Sequence, residues 1–223
     1  TPILVDVDST SFNIDPDAIE KAITPNTKAI VPVHLFGQVA PMDRIMAIAK
    51  NHNLYVIEDN AQGIGATHTT ATGEKIKSGA IGHVASTSFF PSKNLGCYGD
   101  GGAIFTNDDK LAHTLRGVVN HGMYERYHHD VVGVNSRLDS LQAVVLNEKL
   151  KLLDFYNERR KWAALRYTQA FSSHAKIITP TVVGDCDSHV FHQYTLRVID
   201  TDRDALVKYL QDQGIPCGVY YPI

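Results

Sequence analysis

Most features that would quickly sort a 223-residue chain are missing from this one. Cysteine is sparse. Cys97, Cys186 and Cys217 are odd in number, scattered and without a C-x-x-C pair, so neither a disulfide framework nor a zinc site is indicated. No apolar run is long enough to cross a bilayer, and no signal-peptide pattern is read at the start, so a reducing cytoplasm is the expected setting. An excess of positive charge is also missing; a net charge of −3 offers nucleic acid no footprint. The eleven histidines include the adjacent His128 and His129 but no pair at the helical spacing of a zinc motif, which favours polar contacts over metal ligation. There is no initiating methionine and no polar tail. T-P-I-L-V-D-V-D already reads as a strand and V-Y-Y-P-I as another, so a piece of a longer protein is expected. What is present, 43% hydrophobic and 20% charged residues, suits a globular chain able to bury one large core or two modest ones.

Strand and helix patterns alternate through the first half. Ile3–Val7, Ala29–Val33, Leu54–Ile57, His83–Phe90 and Ala103–Thr106 read as strands. Asp15–Ile23, Pro41–Asn51 and Asp108–Val119 read as helices, with Pro16 suited to a first helical turn and Asp108 to a cap. Gly63–Gly82 reads as loop. Such alternation predicts an α/β domain with a largely parallel sheet covered on both faces. Farther on, Arg137–Arg160 has an unbroken helical pattern with two apolar stripes, one through Leu138, Leu141, Val145, Leu152 and Tyr156 and one through Leu146, Leu150 and Leu153. Two apolar faces predict a helix joining domains or subunits. A strand (Phe191–Ile199), a helix (Asp202–Gln213) closed by Gly214, and a strand (Gly218–Tyr221) complete a smaller α+β unit.

The chemistry concentrates in S-F-F-P-S-K-N-L-G-C-Y-G-D-G-G (Ser88–Gly102). It places Lys93 between a strand and a turn with four glycines, Gly96, Gly99, Gly101 and Gly102, a backbone suited to close approach. A loop lysine is ordinarily a solvated charge; desolvated beside a carbonyl-bearing cofactor it becomes a Schiff-base nucleophile. Asp59 ends the strand L-Y-V-I-E-D, where open α/β sheets bind ligands, although a carboxylate there also caps turns. Gln62 lies three residues on. G-I-G-A-T-H lacks the third glycine of a dinucleotide fingerprint, so a Rossmann reading is weak. A lysine after one strand, an aspartate ending another and the Ser88 hydroxyl meet the needs of pyridoxal phosphate: an amine for the aldehyde, a carboxylate for the pyridine nitrogen, and donors for the phosphate.

With P-V-H-L-F-G-Q (Pro32–Gln38), V-I-E-D-N-A-Q (Val56–Gln62), Ser88–Ala103, H-G-M…R-Y-H-H (His121–His129) and N-S-R-L-D-S-L-Q (Asn135–Gln142), the chain resembles the DegT/DnrJ/EryC1/StrS family of sugar aminotransferases. The resemblance implies a fold-type-I, aspartate-aminotransferase-like architecture: a mostly parallel central sheet with helices on both faces, plus a smaller C-terminal α+β domain. Residues 1–135 would belong to the large cofactor-binding domain, 136–160 to a connecting helix and 161–223 to part of the small domain. It also implies that an earlier phosphate-binding segment and a later pocket segment lie outside this chain.

Residue by residue, the resemblance makes Lys93 the Schiff-base lysine and proton shuttle. Asp59 becomes the partner of the pyridine nitrogen, Gln62 meets the ring's 3′-oxygen and Ser88 a phosphate ligand. Asn135 would reach the cofactor of a neighbouring subunit, so a homodimer with shared sites is implied. Arg137 is a candidate for an acidic sugar, with pairing to Asp139 or an interface role as the alternatives. His34, Tyr220 and Tyr221 are pocket candidates, while Phe89, Phe90 and Trp162 are expected in the core. The implied reaction moves an amino group, typically from glutamate, to a nucleotide-linked ketosugar, with the Ser88–Gly102 run looking closest to members acting on UDP-linked 3-keto sugars. Three rivals stand beside it: a dehydratase of the same family, disfavoured because that branch has histidine at the lysine position; a regulatory protein that keeps the fold; and a truncated, inactive chain.

Overall fold

The computed structural model describes residues 1–222. Asp15 caps α1 (Pro16–Ala22) by accepting from the Asp17 N–H, and Pro16 supplies a first residue that needs no N–H partner. After β1 (Ala29–Ile30) and a short turn at Leu35–Gly37 comes α2 (Met42–His52), which buries Met42, Ile45, Ile48 and Ala49 on one face. Asn53 ends α2 in the left-handed region, returning its N–H to the Ala49 and Lys50 carbonyls. Then come β2 (Tyr55–Asp59), β3 (Thr67–Thr69), β4 (Lys75–Lys77), β5 (Val84–Ser88) and β6 (Gly102–Phe105). Asp108 caps α3 (Asp109–Val119), its carboxylate accepting from the Lys110 and Leu111 N–H groups. The remaining elements are β7 (Met123–Glu125), β8 (His128–His129), α4 (Ser140–Leu150), α5 (Leu153–Phe171), β9 (Ile177–Ile178), β10 (Arg197–Val198) and α6 (Arg203–Asp212).

The central sheet has the order β1-β2-β5-β6, parallel through its first three strands and antiparallel at β6. Ile30 and Val56 join Ile45, Ile48 and Val190 in the main core. On the opposite side Val31, Tyr55 and Ile104 are exposed. A second cluster, Phe89, Leu95, Cys97, Leu146 and Leu153, fastens α4 and α5 to the turn that carries Lys93. At roughly 1.5–3 kcal/mol for each fully buried large side chain, these contacts give that turn a rigid floor.

Several expected elements take a different form. Ile3–Val7 is not a strand: only Val7 makes a bridge, to Ile14, and Ile3 and Leu4 are exposed. The stretch Gly63–Gly82 contains the β3–β4 hairpin, whose Lys75 pairs with Asp187 while Lys161 of α5 reaches the same carboxylate. The long helix is two helices. The chain breaks at Leu152 (φ −108°, ψ 0°), with no glycine or proline to announce it, and α5 runs on to Phe171. The break leaves Leu146 and Leu153 both in the second core cluster, while Leu141, Leu150 and Leu152 stay exposed. Only Arg197–Val198 of Phe191–Ile199 pairs as strand, with β9; Gly218–Tyr221 lies outside any strand. Phe89 is in the core as expected, whereas Phe90 is exposed. Trp162 is also exposed, flanked by the Arg159 and Arg166 guanidinium groups 4.9 and 5.0 Å from its ring.

Candidate active site

Strand register brings the first pair together. Asp59, the last residue of β2, lies opposite Ser86 of β5, and Ser88 ends β5 two residues farther along on the same face. Both side chains therefore stand at the carboxyl ends of neighbouring parallel strands, where α/β sheets bind ligands. Asp59 Oδ1 accepts from the Ala61 N–H at 3.0 Å; among the described residues its other oxygen has no hydrogen-bond partner. The bland capping role and a free acceptor thus coexist in one carboxylate. Ser88 Oγ accepts from the Phe90 N–H at 3.2 Å and stays partly exposed.

Lys93 sits in the turn after β5, half-buried, its N–H bonded to the Phe90 carbonyl at 2.9 Å. The glycines serve that turn directly. A Cβ on Gly96 would meet the Pro91 and Phe90 carbonyl oxygens at 2.5 and 2.8 Å, and one on Gly102 the Thr87 oxygen at 2.7 Å. Close backbone approach is therefore needed by the turn itself. Lys149 of α4 donates to the Gly96 carbonyl, and the Tyr98 N–H donates to Gln142 Oε1, so α4 grips the far side of the loop.

Gln62 is buried against this end of the sheet. Its Oε1 accepts from the Phe36 N–H at 2.5 Å, and its Nε2 donates to the Tyr221 hydroxyl at 3.3 Å, which brings the end of the chain to the strand-end site. His34 belongs elsewhere. It is fully buried, its Nδ1 accepts from the Ala40 N–H at 3.1 Å, and its Nε2 therefore donates to Glu58 Oε2 at 2.8 Å. With both ring nitrogens used and no surface, it is a strut and not a pocket wall. Glu58 also accepts from the N–H groups of Gly79, Ile81 and Gly82. Burial pushes its carboxyl up, but the His34 ring and these N–H donors hold it below the usual carboxylate range. The neighbouring His34 N–H donates to the Asp59 carbonyl, so the pair fixes the backbone behind Asp59. Glu58 and Asp59 are neighbours in V-I-E-D, and only the depth of Glu58 in the sheet separates their roles.

Asn135 and Arg137 are not drawn into this group. Asn135 is exposed and pairs through its backbone with Asn120. Arg137 makes no ion pair with Asp139 among the described residues; it lines a cleft of about 990 Å³ with Ser86, Gly101, Ile104 and Arg116. That cleft shares the Ser86 and Thr87 wall of β5 but does not include Lys93 or Asp59.

The model of the DegT/DnrJ/EryC1/StrS aminotransferase family matches residues 1–223. The chain belongs to that family. It is 49% identical over its whole length to a pleiotropic regulatory protein of Geobacillus stearothermophilus, covering 58% of that protein. It is also 46% identical to a UDP-2-acetamido-2-deoxy-3-oxo-D-glucuronate aminotransferase of Pseudomonas aeruginosa, covering all of this chain and 59% of that one. Among solved structures it is similar to NtdA from Bacillus subtilis with bound cofactor PMP: TM-score 0.87, 36% identity, all of this chain and 50% of the other. The chain spans just under three fifths of the length of the curated relatives it matches. No helix among the described residues is long and apolar enough to cross a membrane, and no cluster of metal-ligating side chains occurs among them.

Proposed function

We propose that this chain carries the reactive centre of a pyridoxal-phosphate-dependent aminotransferase acting on a nucleotide-linked ketosugar. The observation that carries the reading is the placement of Asp59, with one carboxylate oxygen unpartnered among the described residues, and Lys93 beyond the ends of adjacent strands. The residues present fit the cofactor: a free carboxylate oxygen for a ring nitrogen, an amine on a rigid turn, and a partly exposed hydroxyl between them. When bound, pyridoxal phosphate supplies an aldehyde for amines and a protonated ring that withdraws electrons from the substrate carbon.

The protein's part follows from its own groups. Asp59 would hold a proton at the ring nitrogen, and the Ala61 N–H keeps that carboxylate oriented. Ser88 Oγ binds the phosphate. Gln62, anchored by the Phe36 N–H at its Oε1 and donating from Nε2 to the Tyr221 hydroxyl, would offer that amide nitrogen to the ring oxygen. Lys93 Nζ would take the proton from the donor's α-carbon and pass it to the cofactor. In the second half-reaction it would take a proton back from the cofactor and deliver it to the sugar carbon that receives the amino group, as general base and general acid in turn. Glutamate is the proposed donor and a UDP-linked 3-keto sugar the proposed acceptor, the latter supported by the Pseudomonas relative, a UDP-2-acetamido-2-deoxy-3-oxo-D-glucuronate aminotransferase. Arg137 in its cleft would meet an acidic sugar, and Tyr221 the substrate side of the site. Homodimerisation is supported by the exposed stripe Leu138, Leu141 and Leu152, and exposed Asn135 would then reach a neighbour's cofactor phosphate. Amination assays across ketosugar nucleotides test the acceptor: turnover of 3-keto sugars is expected, and turnover of 4-keto sugars alone would sink that part.

A second reading, a regulatory protein that retains the fold, is favoured by the description of the Geobacillus relative. Ligand or partner binding without transamination would support it against the enzyme.

A further inference from the structure

Beside Lys93 lies a buried polar web that the reaction described above does not use. Asn94, next in sequence to Lys93, is buried, and its Nδ2 lies 3.2 Å from the Val190 carbonyl oxygen and 2.7 Å from Asn157 Oδ1. A backbone carbonyl only accepts, so the atom facing it must be the amide nitrogen. Asn157 is fixed in the same way, because its Nδ2 lies 3.2 Å from the Ile64 carbonyl oxygen. Both amides are thus oriented by backbone atoms, which removes the usual ambiguity between amide oxygen and nitrogen. Asn94 Oδ1 is left facing His192 Nδ1 at 3.2 Å. An amide oxygen cannot donate, so His192 Nδ1 must carry a proton.

The backbone of this segment is held as well. Arg160 of α5 donates to the Phe191 and His192 carbonyls at 3.1 and 3.2 Å. A Cβ on Gly37 would meet the His192 backbone nitrogen at 2.8 Å, so the segment packs against the turn whose Phe36 N–H holds Gln62. The charged groups acting on the imidazole are Lys93 from the catalytic turn and Arg160 from α5. Burial foremost, then these two cations, push its pKa down to about 4. At neutral pH the ring is therefore uncharged, protonated at Nδ1 and bare at Nε2.

We infer that His192 is a positioning residue for Lys93: Asn94, next in sequence to Lys93, locks its ring as the neutral Nδ1–H tautomer and leaves the Nε2 lone pair available to the Lys93 amine, although no hydrogen bond joins the two in this structure. The arrangement suits a lysine that must lose and regain protons. A carboxylate in this place would hold the ammonium in its charged form, whereas a neutral acceptor orients the amine without trapping the proton. Asn157 and Arg160 extend the web into α5, so the reactive turn is registered against the helix and the 189–193 segment together. The role toward Lys93 rests on the function proposed above; the tautomer does not.

Nitrogen-15 spectra of the histidine side chains in this chain, without cofactor, test the geometry. At pH 7 His192 should show a protonated Nδ1 and a bare Nε2, with a titration midpoint near 4. Lys93→Ala should raise that midpoint and leave the tautomer unchanged, while Asn94→Leu should release the tautomer. A protonated Nε2, or a midpoint indifferent to Lys93→Ala, would overturn the inference. With pyridoxal phosphate added, the visible band that depends on Lys93 should form about tenfold more slowly in His192→Phe, the scale of one hydrogen bond, with recovery in His192→Gln. Equal rates in all three proteins would overturn the positioning role. Absence of any band in the parent chain, with the tautomer intact, would instead count against the proposed function.

Discussion

Behind Asp59 and behind Lys93 lie two buried polar networks of opposite character. The first is built on a charge: Glu58 is fully enclosed and takes hydrogen bonds from His34 and from three backbone N–H groups. The second is neutral, with Asn94, Asn157 and His192 joined through amide and imidazole groups and anchored on carbonyls. The difference follows the needs of the residues they hold. A rigid anionic strut keeps the end of β2 fixed, while the Asp59 carboxylate, held through one oxygen by the Ala61 N–H, stands on the other face. In the proposed reaction Lys93 gains and loses a proton, and a neutral support does not bias it toward the ammonium.

The sharpest way to break this comparison is to remove the charge from the first network. Glu58→Gln leaves one amide oxygen for three N–H groups and the imidazole, and should cost about 4 kcal/mol in denaturant unfolding through unsatisfied buried donors. A loss below 1 kcal/mol would mean that the buried carboxylate is not the anchor.

Next comes acid sensitivity. His189 is buried, and burial depresses its pKa from 6.5 to about 4 although a hydrogen bond to Gly37 partly opposes this. The unfolded chain therefore binds more protons than the folded one between those values. The contribution is fully present above pH 6.5 and is lost as pH falls to 4, by about 3 kcal/mol. His192 acts in the same window with a smaller effect, because its ring is less enclosed. Thermal melts from pH 7.5 to 4 should show the midpoint falling, and His189→Phe should flatten the slope.

Asn157→Leu, in the neutral network, should cost about 2 kcal/mol by leaving the Ile64 carbonyl unpaired. A cost matching that of Glu58→Gln would erase the distinction drawn between the two networks. The smallest change is expected from Trp162→Ala. Its ring is exposed between two arginines, so its loss should cost about 1 kcal/mol or less in this chain.

Much of this was legible from residue order. Asp15, Pro16 and Asp108 mark helix starts through local chemistry, and the apolar spacing of Ile45, Ile48 and Ala49 marks the buried face of α2. The Asp59–Lys93 pair is legible because each follows a strand signal. What stayed hidden depends on tertiary contacts. The break at Leu152 carries no glycine or proline, because packing of both Leu146 and Leu153 against one cluster accompanies it. Ile3–Val7 has strand composition, yet composition does not supply a partner. His34 looked like a pocket residue because polarity is visible in sequence and burial is not. Glu58 and Asn94 stand beside the residues of interest, and only alternation across the sheet and long-range pairing reveal their separate work.

The most direct measurement is an absorption spectrum of this chain with pyridoxal phosphate added, recorded beside Lys93→Ala and Asp59→Ala. A visible band that is absent in Lys93→Ala and weakened in Asp59→Ala is the predicted result. A band that survives Lys93→Ala unchanged would contradict the account.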